Sequence, residues 1–184
     1  MERVRLPDGS EVVLRPVVPQ DRALLVAAWE RFGDESRYRR FMVAKDHLSE
    51  RELEYLTNVD HVDHEAICAI DATTGDGVGV ARYLRDRQRP ETAEAAVAVV
   101  DAWQGRGVGG LLLRRLCGRA RENGIHTFTA SLLTENRSMR RLFDRLGPVT
   151  VREFDGPTME IDVELPLDDA RTALRSAATG HVRS

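Results

Sequence analysis

Cysteine is scarce in this 184-residue chain: there are two, Cys68 and Cys117, far apart and in no Cys-x-x-Cys pattern. That excludes a disulfide framework and argues against a thiolate zinc site, so no metal is expected. Both read as small core residues. A basic excess is also missing. Lys plus Arg total 27 against 30 Asp plus Glu, for a formal net charge of −3. A general nucleic-acid partner is thereby excluded, while a cationic substrate is tolerated but not required. No apolar run approaches the roughly 20 residues of a membrane span, which leaves no membrane partner. No basic-then-apolar leader opens the chain, and the expectation is a cytoplasmic enzyme. Neither a repeat nor a linker divides the sequence. One domain over residues 1–167 is expected, followed by a flexible polar tail over 168–184.

What is present is an ordinary globular balance, 42% hydrophobic and 31% charged. Val12–Val18 is β-branched and reads as a strand. Gln20 to Phe32 places Leu24, Leu25, Ala28, Trp29 and Phe32 at helical spacing. A polar stretch from Gly33 to Asp46 follows. Ser49 and Glu52 then spell a capping box, with Leu48 and Leu53 as its hydrophobic staple, so a second helix starts there. Glu65–Asp71 and Val78–Arg85 flank the turn residues Thr74-Gly75-Asp76-Gly77, a hairpin signal. Thr92–Val100 is a third strand. Gly110 to Asn123 carries Leu111, Leu112, Leu116 and Ala120 on one helical face and stops at Gly124. His126–Leu133 is a strand, Ser138–Leu146 a short helix, and Val149–Phe154 with Met159–Leu165 a final hairpin pair. This order implies an α/β (α+β) mixed sheet, mostly antiparallel, of about six to seven strands, with a central βαβ unit and helices on both faces.

The segment from Val97 to Gly110 carries the most chemistry. A strand runs into Gln104-Gly105-Arg106-Gly107-Val108-Gly109-Gly110, and a helix opens at once. The first N–H groups of a helix have no internal partner and lie at the positive end of its dipole. With glycines that let a ligand come close, they make a cradle for a pyrophosphate, and Arg106 adds a charge. The spelling is not a P-loop, since no Gly-Lys-Ser/Thr follows. Gly105-x-Gly107-x-x-Gly110 satisfies a dinucleotide fingerprint superficially. Its mid-chain position after antiparallel strands, and the lack of a suitable acidic residue, set that reading aside. A tight packing turn with no ligand is the remaining alternative.

At Gln104-Gly-Arg-Gly107-Val-Gly109 the chain resembles the GNAT superfamily of acetyl-CoA-dependent N-acetyltransferases, whose central motif is Gln/Arg-x-x-Gly-x-Gly/Ala. The element order agrees over about residues 10–165. Within that superfamily it is most similar to the catalytic domain of bacterial protein-lysine acetyltransferases. The spellings that carry this are Glu35-Ser-Arg-Tyr-Arg-Arg-Phe41, Ala93-Glu94 through Gln104, and Glu135-Asn136-Arg-Ser-Met139 with Leu146-Gly147. In some bacteria that domain is fused to a cyclic-nucleotide-binding or acyl-CoA-synthetase-like domain, neither of which is expected within 184 residues.

The resemblance implies acetyl-CoA as co-substrate and an amine acceptor, either a protein lysine or a small molecule. It implies a pantetheine arm lying between the strand ending near Val100 and the one starting near His126. That arm would bond to backbone at Val99 and Val100, with the pyrophosphate on Gln104, Gly105, Arg106, Gly107, Val108, Gly109 and Gly110. Asn136 would contact CoA, cap the next helix, or do both. Glu94 stands where relatives place a glutamate, ten positions before Gln104, and is the expected base. In an Ala/Val strand its pKa is expected to rise by desolvation. A solvent-facing or arginine-paired Glu94 is the alternative. Phe143 occupies the position of a frequent tyrosine general acid and cannot supply a proton. A non-catalytic acyl-CoA sensor with the same fold is the competing function, and Glu94 argues against it. A dimer through sheet edges is also compatible with the pattern.

Four further features invite functional readings. His61-x-x-His64 offers two ligands together, more consistent with solvated or capping side chains than with a metal site. Arg37, Tyr38, Arg39 and Arg40 either line the acceptor side or form a charged surface with Tyr38 and Phe41 packed inward. Asp60, Asp63 and Glu65 either attract a lysine or are simply solvated. Trp103 reads as packing beneath the glycine turn.

Overall fold

The computed structural model describes residues 1–41 and 46–166, with side chains omitted at 39–41; the 168–184 tail, Arg39 and Arg40 as acceptor-side residues, and Phe41 thus lie outside what is described. One eight-stranded sheet runs β1-β2-β3-β4-β5-β6-β8-β7. Its strands are β1 (Glu2–Arg5), β2 (Glu11–Pro16), β3 (His64–Asp71), β4 (Gly77–Arg85), β5 (Thr92–Val99), β6 (Thr127–Leu133), β7 (Val149–Asp155) and β8 (Thr158–Glu164). The helices are α1 (Arg22–Glu30), α2 (Asp34–Phe41), α3 (Glu50–Thr57), α4 (Val108–Glu122) and α5 (Arg137–Asp144). Every strand pair is antiparallel except β5 with β6, which the α4 crossover joins in parallel.

The sheet thus has one strand more than the upper end of the expected range. The addition is β1, whose single Val4 among charged residues gives no alternation; it forms because Glu2–Arg5 registers against Leu14–Glu11 of β2. The polar stretch after Gly33 is also a helix, α2. It lacks an apolar stripe. Asp34 and Glu35 in its first turn complement the helix dipole, and the Arg37 guanidinium lies 5.2 Å from the Trp29 ring centroid. The capping box at Ser49 forms as spelled. Ser49 N–H donates to Glu52 Oε2 at 2.9 Å, and Glu52 N–H donates to Ser49 Oγ at 3.4 Å.

The main core lies between the sheet and α4. Leu112, Leu113, Leu116 and Ala120 are wholly buried against Val12, Ala81, Tyr83, Ala93 and Phe128. Each such leucine contributes about 2 kcal/mol of burial. A smaller cluster, Val17, Ala66 and Cys68, packs on the opposite face. Both cysteines are buried and free, and burial pushes the Cys68 thiol up to about 11. No helix among the described residues is long and apolar enough to cross a membrane.

Gly147 closes the turn from α5 to β7, and a Cβ there would sit 2.0 Å from the Glu164 carbonyl oxygen. The obstacle is backbone, which cannot rotate aside. Gly147→Ala is expected to cost about 3 kcal/mol, lowering Tm by about 6–12 °C. A thermal melt with an unchanged Tm would contradict this reading of the turn.

Candidate active site

Alternation along β5 sorts its backbone groups between two neighbours. Val100 N–H donates to Val78 of β4 at 2.9 Å, and the Thr92 carbonyl accepts from Asp86 on the same side. The odd-numbered residues therefore point their N–H and carbonyl groups the other way, toward β6. There the parallel pairing holds for three registers only, Thr92 with Thr127, Ala93 with Phe128 and Glu94 with Thr129. Beyond Glu94 the two strands part. Val97 and Val99 face a wedge-shaped gap with no partner strand on that side among the described residues. Val100 does not: its N–H is taken by Val78 and its carbonyl by Trp103 N–H at 2.8 Å.

The gap opens onto the start of α4. Gly105 and Gly107 have φ values of 73° and 94°, and Gly107 is the N-cap. This left-handed geometry turns the chain so that the N–H groups of Gly105 to Gly110 donate to no backbone carbonyl among the described residues. The helix begins at Val108, two residues earlier than the leucine spacing indicated, which brings Val108, Gly109 and Gly110 into its first turn.

Three side chains at the turn are occupied internally. Gln104 Nε2 lies within hydrogen-bond distance of the Val99 carbonyl (3.0 Å), Asp101 Oδ1 (3.1 Å) and Ser36 Oγ (3.1 Å). Asp101 Oδ2 accepts from Gly33 N–H at 3.1 Å. The turn is thereby tied to the start of α2. The Arg106 guanidinium lies 3.9 Å from the Trp103 ring centroid and pairs with Asp8 at the β1–β2 turn. Bonds from the Ser10 hydroxyl and N–H, then from Arg106, hold the Asp8 carboxyl at about 2. Trp103 is buried under the turn, as expected. Asn136 is buried, and its Oδ1 accepts from Met139 N–H at 3.1 Å, capping α5. Phe143 is part of the core, 1% exposed.

Glu94 corrects one expectation. It is exposed, not desolvated by its apolar neighbours. Ala93, Ala95 and Val97 face α4, whereas Glu94, Ala96 and Ala98 face the other side, where covering is partial. Register partners share a face, so His64, Leu84, Glu94, Thr129 and Asp162 form a row across β3, β4, β5, β6 and β8. Glu94 stands between two recesses in that face. One, of about 330 Å³, extends over Thr129, Ser131, Glu160 and Asp162. The other, of about 230 Å³, is bounded by Glu52, Tyr55 and Leu56 of α3 with Arg82 and Leu84 of β4. Neither α3 nor β4 was indicated as part of the site by the sequence, because their approach to Glu94 depends on long-range packing.

The histidine pair diverges. His61 Nδ1 lies 2.7 Å from Glu65 Oε1, while His64 Nε2 lies 3.3 Å from Arg82. The acidic residues nearby are engaged inside the fold: Asp60 accepts from the N–H groups of Val62, Asp63 and His64, Asp63 pairs with Arg85, and buried Glu65 pairs with Arg119.

The strand pair thus splits beside a carboxylate and at the mouth of a helix whose first N–H groups donate to no backbone carbonyl among the described residues. Residues 25–147 match the model of the acetyltransferase (GNAT) family. The chain belongs to the GNAT acetyltransferase family. This GNAT domain is 37% identical over 166 residues to the acetyltransferase Pat of Mycolicibacterium smegmatis, covering 90% of this chain and 49% of that protein. The chain thus spans about half the length of that relative. An acetyltransferase of Pseudomonas aeruginosa is 31% identical over 158 residues, covering 85% of this chain and 84% of its own length. Among solved structures, the GNAT domain of S. lividans PAT superposes with a TM-score of 0.81 at 33% identity, covering 89% of this chain and 96% of that one.

Proposed function

We propose that this GNAT domain transfers an acetyl group from acetyl-CoA to a primary amine by direct attack, with a protein lysine as the favoured acceptor. The observation that carries the proposal is the parting of β5 and β6 immediately beyond Glu94, in line with the unpaired N–H groups at the start of α4. The resemblance to protein-lysine acetyltransferases supports the acceptor class.

The residues fit the coenzyme. The N–H groups of Gly105 to Gly110 are free to receive a pyrophosphate, and the helix dipole adds partial positive charge. Val97, and Val99 through its N–H since Gln104 holds its carbonyl, offer strand-like bonding to an amide-bearing arm. When bound, acetyl-CoA supplies a thioester whose acyl carbon accepts the amine. Glu94 takes the proton that the amine must lose, directly or through a water, since only the neutral amine attacks. The Val99 N–H is the backbone donor best placed to polarise a carbonyl within the gap, whereas Val100 N–H is engaged. Phe143, deep in the core, supplies no acid, so the leaving thiolate takes its proton from solvent. Arg106 reaches a phosphate only by loosening its hold on Asp8.

Incubation with acetyl-labelled coenzyme and a panel of proteins and small amines tests the proposal. Label on an amine with stoichiometric CoA release is the expected result. Coenzyme binding without release for any acceptor would defeat it.

A further inference from the structure

Among the described residues, large apolar side chains stand exposed at only a few places, and two of them border one recess. Tyr55 is 49% exposed and Leu84 43%, and both line the cavity of about 230 Å³ that also holds Glu94. Exposed apolar surface gathered around a carboxylate is more informative than a scattered residue.

Tyr55 is also rigidly mounted. Its ring stacks on His64, with centroids 4.8 Å apart and planes inclined by 30°. His64 is fixed by the contact of its Nε2 with Arg82 Nη1 and by its own N–H, which donates to Asp60 at 2.8 Å. Arg82 Nη2 donates to the Leu56 carbonyl at 3.2 Å, tying β4 to the helix that carries Tyr55. Burial, and then the Arg82 charge, lower the His64 pKa and so favour the neutral imidazole beneath Tyr55. Leu84 is held by register against both His64 and Glu94. Glu52, Arg82 and Glu94 are the charged groups of the recess, a net excess of one negative charge.

Two apolar walls leading to a carboxylate complement a flexible alkyl stem that ends in an amine. A short or α-branched amine leaves the walls unfilled. We propose that Tyr55, with Leu84, is a specificity-determining residue that clasps the aliphatic stem of the acceptor and selects amines at the end of an unbranched, several-carbon chain. This rests on the acetyl-transfer reading above.

The test is a series of Nα-acylated diamino acids with successively longer side chains, up to lysine. Each methylene taken into the clasp is expected to raise kcat/KM about fourfold. Tyr55→Ala is expected to flatten that slope below about twofold per methylene and raise the acceptor KM, with the coenzyme Kd unchanged. Tyr55→Phe, which keeps the ring, restores the slope, whereas a merely structural loss would lower the rate equally for every member of the series and leave the slope unchanged. A wild-type slope retained in Tyr55→Ala overturns the clasp while leaving the acetyl-transfer reading intact. Failure of the wild-type protein to acetylate any amine defeats that reading itself.

Discussion

Glu94→Gln is expected to lower kcat for acetyl transfer by about 100-fold or more, with coenzyme affinity unchanged. General-base assistance is commonly worth about 10² to 10⁴ in rate, and the amide keeps the shape of the side chain while losing the basic oxygen. The Glu94 side chain makes no hydrogen bond or ion pair with another described residue, so the substitution breaks no structural contact. Its exposure also means that removing the charge relieves no burial penalty. The melting temperature should therefore hold while the rate falls. The experiment is a steady-state CoA-release assay paired with a coenzyme titration. Full activity in the variant would remove Glu94 from the mechanism and leave water as the proton acceptor.

Gly107→Val attacks the other half of the site and is expected to weaken coenzyme binding at least tenfold. Gly107 caps α4 with φ at 94°, a region that costs an L-residue about 1–2 kcal/mol and a β-branched one more. Space is not the obstacle, since the nearest atom to an added Cβ is Pro7 Cδ at 3.9 Å. The variant has two ways to respond. It can keep the left-handed turn and lose stability, or relax the turn and re-aim the N–H groups that face the ligand. Gly107→Asn separates these causes, because asparagine tolerates the left-handed region. Isothermal titration with CoA on both variants, beside their thermal melts, gives the answer. Wild-type affinity in Gly107→Val at an unchanged Tm would contradict the role assigned to the turn.

Much of this site is visible in the sequence because its chemistry is local. Strand, glycine turn and helix mouth are contiguous from Thr92 to Glu122, so spacing alone brings them together. The hairpin turns and the Ser49 capping box are local in the same sense. The environment of Glu94 was not legible. A run of alanine and valine on a strand does not say which face is covered, since alanine fits either a dry face or a half-open one. The internal partners of the Gln104 and Arg106 side chains were not legible from the motif either. Their partners, Ser36 and Asp8, lie 68 and 98 positions away in sequence. Strand β1 and helix α2 escaped for a related reason: both are polar segments made regular by what they pack against. The recess around Tyr55 required the sheet register itself, which places Leu84 between His64 and Glu94.

The split between β5 and β6 has a consequence for the protein's internal breathing. In an ordinary sheet the outermost strands lose their amide protons to deuterium first and the central ones last. Here β5 is central, with β4 bonded along one side, yet among the described residues no strand shields the amides of Val97 and Val99 on the other. Deuterium uptake at these two positions should outrun that of their neighbours Ala96 and Ala98, so that labelling alternates residue by residue along one strand. Coenzyme should erase the alternation, making the interior of the sheet a direct reporter of occupancy.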